Sequence, residues 1–216
     1  MIKKYCDIDA GLDFKVLVEK LKIQQDSPEY DEFSELFSKA LSVARPKALL
    51  KKAAITGRGV DSLCVAGAEF HCRMLSTKSA NSDFILLFAV TCGSELDRIK
   101  IDGDDFLAAY WLDIIKEECM KQAFEYIQKQ ARETCNYSRA VSLCPSDSGS
   151  WPLHELKQVF ANLEPDAAEI GMGLSEYCFM SPNKSLCGAL LDIQDQSEVC
   201  QICDFRDKCE QKDCAG

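Results

Sequence analysis

The sequence predicts an α+β domain, and three observations carry that expectation. Residues 84–91 read FILLFAVT, a short apolar, β-favouring run closed by Cys92-Gly93-Ser94, which is the pattern of a buried strand. From Asp104 to Arg132 no Gly or Pro interrupts a run with apolar residues at helical spacing. That length is about seven to eight helical turns. Further strand-like runs around Gly57-Arg58-Gly59 and Pro182-Asn183 alternate with amphipathic segments.

Taken in order, Leu12, Val16, Leu17 and Leu21 mark a short helix within 12–22. Ser27-Pro28 opens the next one, with Ser as cap and Pro where its missing N–H is not needed. It turns Phe33, Leu36, Phe37, Ala40 and Leu41 inward and runs to Val43, before Pro46. Lys51–Thr56 and Val60–Cys72 read as strands around the 57–59 turn, and polar residues 75–83 read as a short helix. Asp104 is placed to cap the long helix. Arg139–Cys144 reads as extended, 145–150 as a loop, and Pro152 as the start of a helix with Leu153, Leu156, Val159, Phe160 and Leu163 inward. Residues 173–180 and 184–193 read as two strands.

The long helix carries two apolar faces. Phe106, Leu107, Tyr110, Trp111, Ile114 and Ile115 form the first; Met120, Ala123, Phe124, Ile127 and Ala131 form the second. At about 100° per residue the faces differ by more than a quarter turn. The first face continues as Glu118, Lys121 and Glu125, so the helix either lines a cleft or passes into water.

The 216 residues suffice for one domain with a small appendage, 1–193 and 194–216. A net charge of −10 excludes a general phosphate-binding surface, so no nucleic acid is expected. Apolar runs are far short of a bilayer span and the N-terminus lacks an apolar signal core, so no membrane partner and a cytoplasmic location are expected. Thirteen cysteines, an odd count, argue against a disulfide framework.

Four of those cysteines are clustered as Cys200-x2-Cys203-x5-Cys209-x4-Cys214 in a polar stretch. Such a segment of about twenty residues cannot fold on its own apolar burial, and four thiolates on a metal centre would supply the missing free energy. The set suits a 4Fe-4S cluster, with zinc as the alternative; the remaining reading is an unstructured tail of reactive thiols. His71 and His154 lack sequence partners and read as structural, and Trp111 and Trp151 read as core. Cys144 is a structural thiol, or a ligand or redox group in the loop that follows Arg139.

Three blocks together resemble the activation (reactivation) domain of cobalamin-dependent methionine synthase, especially its free-standing relatives. The first is FAVTCGSELDRI with the Asp-started helix behind it; the second is Arg139, the Pro/Gly/Ser loop, Trp151-Pro152-Leu153 and HELKQVFANL; the third is IGMGLSEYCFMSPNKSLCGALLDI. In the third, Ile170-Gly171, Leu174-Ser175-Glu176, Met180-Ser181-Pro182, Lys184-Ser185 and Gly188-Ala189 follow the family pattern. The likeness covers about residues 80–193, and the first 80 fit in outline. It implies a twisted antiparallel sheet with packed helices, S-adenosylmethionine as ligand, and docking on a cobalamin- or corrinoid-binding protein.

The resemblance also implies a site. Arg139 would hold the donor's carboxylate, Ser142 opens the binding loop, and Glu118 is the nearest match to a carboxylate on the long helix. The loop from Ser142 to Trp151 reads SLCPSDSGSW, without the family's Pro-Gly-Tyr turn. Together with the cysteine segment, these features predict an accessory protein that reactivates a Co(II) corrinoid with an electron from the segment's cluster, itself reduced by an electron donor protein, and a methyl group from S-adenosylmethionine. The alternative is a non-catalytic scaffold whose tail is held by zinc or a structural cluster. A methyltransferase acting on another substrate is the third account.

Overall fold

β2 (Lys47–Arg58) is the strand on which the rest of the sheet is laid. In the computed structural model, which describes residues 2–146 and 150–193, its first half pairs antiparallel with β1 (Ile2–Tyr5) on one side and with β5 (Phe84–Thr91) on the other. Its second half pairs with β3 (Leu63–Val65), which pairs with β4 (Ala68–Phe70). Beyond β5 lie β9 (Ser185–Asp192) and, at the edge, β6 (Ala140–Leu143), both antiparallel. The fold is α+β, an antiparallel sheet with helices packed on it.

Period-2 alternation explains why FILLFAVT shows no polar face. Leu49, Ile85, Leu87, Ala89, Ala189 and Leu191 point into one core. That core is closed by α3 (Arg73–Lys78), α5 (Leu156–Leu163) and α6 (Asp166–Glu169). Ala48, Leu50, Leu86, Phe88, Val90 and Leu190 point into another, under α4 (Phe106–Cys135). Both faces of β5 are covered, so both must be apolar.

A third cluster is helical. α1 (Phe14–Leu21) and α2 (Pro28–Val43) pack on the first half of α4 through Leu17, Phe33, Phe37, Trp111, Leu112, Ile115 and Cys119. α4 therefore serves two cores with one stripe. Trp111, Ile115, Cys119, Ala123, Ile127 and Ala131 are all buried, each four residues from the next. Four residues advance about 400°, so the stripe drifts by about 40° per step and about 200° in all. It faces α1 and α2 at one end and the sheet at the other.

That drift corrects the expected first face, because Phe106, Leu107 and Tyr110 are exposed. The ionic row of α4 is tied into the fold. Glu118 pairs with Lys20 of α1 at 2.6 Å, Lys116 with Asp97 at 2.6 Å, and Asp113 with Lys184 at 2.8 Å. The cap of α4 is Asp105, not Asp104; its Oδ1 accepts from Ala108 N at 2.9 Å.

Two expected strand–turn–strand units are laid out differently. Gly57-Arg58 belongs to β2, at an irregularity between Ile55 and Gly57. The chain reverses just beyond, where Gly59 N donates to Ser62 O at 2.9 Å and Arg58 pairs with Leu63, and again at Ala66-Gly67, where both residues have positive φ. Arg58 is held there by Ser79 Oγ at 3.0 Å and by the Ser82 carbonyl. Residues 173–180 do not pair with β9. They form the small hairpin of β7 (Gly173–Leu174) and β8 (Met180–Ser181).

Residues 194–216, and with them Cys200, Cys203, Cys209 and Cys214, lie outside the described residues, as do 147–149 of the candidate loop. Among the described residues no helix is long and apolar enough to cross a membrane.

Candidate functional site

Arg139 and Ser142 sit on the strand that ends the sheet, and Glu118 on α4. Asn136, in the left-handed region at φ 56°, ends α4 and turns the chain back. Asp192 then fixes the start of β6. Its Oδ1 accepts from Ser138 N at 2.7 Å and Arg139 N at 3.1 Å, and Ile193 N donates to Arg139 O at 3.0 Å. The Arg139 backbone is thus pinned while its side chain stands exposed. That is a suitable presentation for two-pronged recognition of a carboxylate.

Ser142 pairs with Leu190 and is half-buried, on the same face of β6 as Ala140, which packs in the core under α4. Gly188, opposite the end of β6, has no room for a Cβ: it would run into the Leu143 carbonyl and lie 2.9 Å from Cys144 Sγ. Glycine there lets the two strands close around the thiol, and burial pushes Cys144 up to about 12. Cys144 is therefore a neutral packing group at neutral pH.

Glu118 is engaged on the α1 side of α4. Burial works against its charge, but Lys20 and Lys121 outweigh it and hold the carboxyl below the usual range. Gln128, ten residues further along, donates to Ala140 O at 2.8 Å. Glu118 is thus about 15 Å along the axis from where α4 meets the start of β6. Among the described residues no hydrogen bond or ion pair joins any two of Arg139, Ser142 and Glu118.

Two hollows flank this edge. A cleft of about 700 Å³ opens between the end of α3 and the ends of β5 and β9, lined by Ser79, Ser82, Phe84, Tyr137, Leu191 and Asp192 among others. Burial, then Cys135 and Asp192, raise the Tyr137 phenol. The second, about 470 Å³, lies between Ser146, the 152–157 segment and the β7–β8 hairpin, with Ser146, Lys157 and Tyr177 in its wall. Ser146 Oγ is buried there without a hydrogen-bond partner among the described residues.

Sequence reasoning did not find Asp192 or the hydroxyl-rich 76–82 segment as parts of a site. Asp192 read as the end of a strand and 75–83 as a short polar helix, and their proximity follows only from the pairing of β5 with β9. His71 and Trp151 are structural. The buried Glu155 carboxylate accepts from Trp151 Nε1 at 2.8 Å and from His71 N at 2.9 Å, and His71 Nδ1 lies 2.8 Å from it. Among the described residues no group of three His, Cys, Asp or Glu could hold a metal ion.

No protein-family model and no curated protein matches the chain. Among solved structures it is similar to one described as "Crystal Structure of the MetH Reactivation Domain bound to AdoHcy". The identity is 15%, the TM-score is 0.62, and the match covers 89% of this chain and 78% of that one. The fold is that of the MetH reactivation domain. At this identity the likeness speaks for the fold alone.

Proposed function

We infer that the protein is an accessory factor for cobalamin- or corrinoid-dependent methyl transfer. The observation that carries this reading is the fold, shared over 89% of the chain with a reactivation domain solved with AdoHcy. A domain of this shape would dock on a corrinoid-binding protein and present a methyl donor to the cobalt. Its contribution would be proximity and orientation rather than acid–base chemistry.

S-adenosylmethionine fits what the β6 edge offers. Arg139, its backbone fixed by Asp192, would take the donor carboxylate, and Ser142 and the loop after it would lie along the ligand. Glu118 is already held by Lys20 and Lys121, so its role would be to brace α4 against α1 unless those pairs open.

The four terminal cysteines are the donor set of a 4Fe-4S cluster, with zinc as the alternative. When bound, such a cluster supplies one low-potential electron to a partner's Co(II) corrinoid and is refilled by an electron donor protein. Cys200, Cys203, Cys209 and Cys214 would hold it, as a unit 194–216 distinct from the domain 1–193. Iron and acid-labile sulfide in anaerobically purified protein, lost together in Cys203→Ser, are the expected result. Neither iron nor zinc in such protein would overturn the electron-transfer part of the reading.

A further inference from the structure

The described residues expose four large aromatic side chains, and these lie on two neighbouring elements. Phe106 (80%) and Tyr110 (54%) stand on the first turns of α4, and Tyr177 (73%) and Phe179 (74%) on the turn between β7 and β8. At about 100° per residue, Phe106, Tyr110 and Asp113 share one face of α4, spread over about 60°. Asp113 on that face pairs with Lys184 at 2.8 Å and accepts from Asn183 Nδ2 at 3.4 Å. Asn183 and Lys184 lead from β8 to β9, so the foot of the hairpin is tied to the aromatic side of α4. Phe106 is about 10 Å along the axis from that tie.

The turn that carries the other two rings is held by its own bonds. Ser175 N donates to Phe179 O at 2.9 Å, Phe179 N donates to Ser175 Oγ at 3.0 Å, and Cys178 takes the left-handed region at φ 64°. Exposed apolar residues scattered singly are ordinary, whereas aromatics gathered on one side mark an interaction surface. Rings on fixed backbone lose little freedom on contact.

The surround of these rings is acidic. Residues 100–113 hold four aspartates against one lysine, and 171–183 hold one carboxylate, Glu176, and no lysine or arginine. Asp102, Asp104, Asp105 and Glu176 are exposed. The face therefore fits a protein with an apolar centre and a basic rim. A second copy, from a chain of net charge −10, would bring a like-charged rim against it. Glu176 and Tyr177 also wall the 470 Å³ hollow together with Ser146, in the loop that follows Ser142.

We propose that Phe106 and Tyr110 of α4, with Tyr177 and Phe179 of the hairpin, form the docking surface for the corrinoid-binding protein, whose contact face is rimmed by lysine and arginine. Resting on the functional reading above, this surface seats the partner beside the loop that would carry the methyl donor, with Tyr177 shared between the two.

The test is calorimetry of the full-length protein with a purified corrinoid-binding protein in the Co(II) form, comparing wild type with F106D/Y110D and with F179D. The substituted side chains are exposed, and a urea midpoint close to wild type checks that each variant folds. Wild type is expected to bind, less tightly as salt is raised, and each variant at least about tenfold more weakly. Wild-type binding with both variants unchanged overturns the docking surface and leaves the functional reading standing. No binding by the wild type overturns both. A wild-type dimer in sedimentation that F106D/Y110D makes monomeric assigns the face to a second copy and overturns the proposal. Wild-type binding to phosphatidylcholine vesicles that the same variant abolishes assigns it to a lipid surface and also overturns it.

Discussion

Glu155 and His71 meet at both backbone and side chain. One buried carboxylate accepts the His71 amide with both oxygens, at 2.9 and 3.0 Å, and lies 2.8 Å from the ring Nδ1. Trp151 Nε1 donates to the same group. The carboxylate thus joins the chain after β4 to the start of the segment leading into α5. Glu155→Ala leaves a buried indole N–H and a backbone N–H without a partner, and each such loss costs about 1–3 kcal/mol. The expected fall in unfolding free energy is at least about 2 kcal/mol, read from urea denaturation. A loss below about 1 kcal/mol would show that water replaces the carboxylate.

Glu118 gives the fold an acid-sensitive tie. Its folded carboxyl sits below the ordinary range because Lys20 and Lys121 outweigh burial. The contribution is therefore present above the unfolded-state value and lost as pH falls through the folded one. Glu118→Gln should narrow the difference in urea midpoint between about pH 6 and pH 3.5. An unchanged difference would contradict the assignment.

Buried thiols act in the opposite direction. Burial raises Cys92 to about 11, and raises Cys119 to about 12, with Cys92 and Glu118 adding to it. Their stabilisation is complete below the unfolded thiol value and is lost as pH rises towards the folded values. At about pH 8 a thiol reagent should label exposed Cys6 in the native protein and leave Cys92 and Cys119 unmodified until urea is added. The thermal midpoint should also fall above about pH 9, and less steeply in Cys119→Ala.

Much of this fold was legible in the chain. β5 and α2 lie where apolar run and cap placed them, because Gly93 and Pro28 are strong local signals. The long helix was legible in extent but not in orientation. Its true stripe passes through Cys119, and a four-residue step that turns from one core to another looks like two unrelated faces. Gly57-Arg58 resembled a turn but is held in β2 by contacts of Arg58 with Ser79 and Ser82, which belong to a later part of the chain. For the candidate site, the sequence offered Arg139 only through the family resemblance. Asp192, which fixes Arg139, could be found only from the pairing of β6 with β9.

Gly188 is a test of the β6 edge. A Cβ there meets the Leu143 carbonyl and the Cys144 thiol. Gly188→Ala should cost about 1–3 kcal/mol of stability. It should also weaken donor binding by displacing Ser142 and the loop after it. Wild-type stability in the variant would mean that the strand end has room to move.

Arg139→Ala should abolish most of the heat of S-adenosylmethionine binding in calorimetry. Losing a two-pronged charged contact weakens affinity at least tenfold, or about 1.4 kcal/mol or more. The thermal midpoint should stay close to wild type, because the Arg139 side chain is exposed and the backbone does the fixing. Equal heats would remove the donor site from this edge.

The most direct measurement mixes the anaerobically reduced protein with a Co(II) corrinoid protein and follows the visible spectrum with and without S-adenosylmethionine. The account predicts loss of the Co(II) signal and appearance of the methylated corrinoid when the donor is present. A spectrum unchanged in both conditions would contradict it.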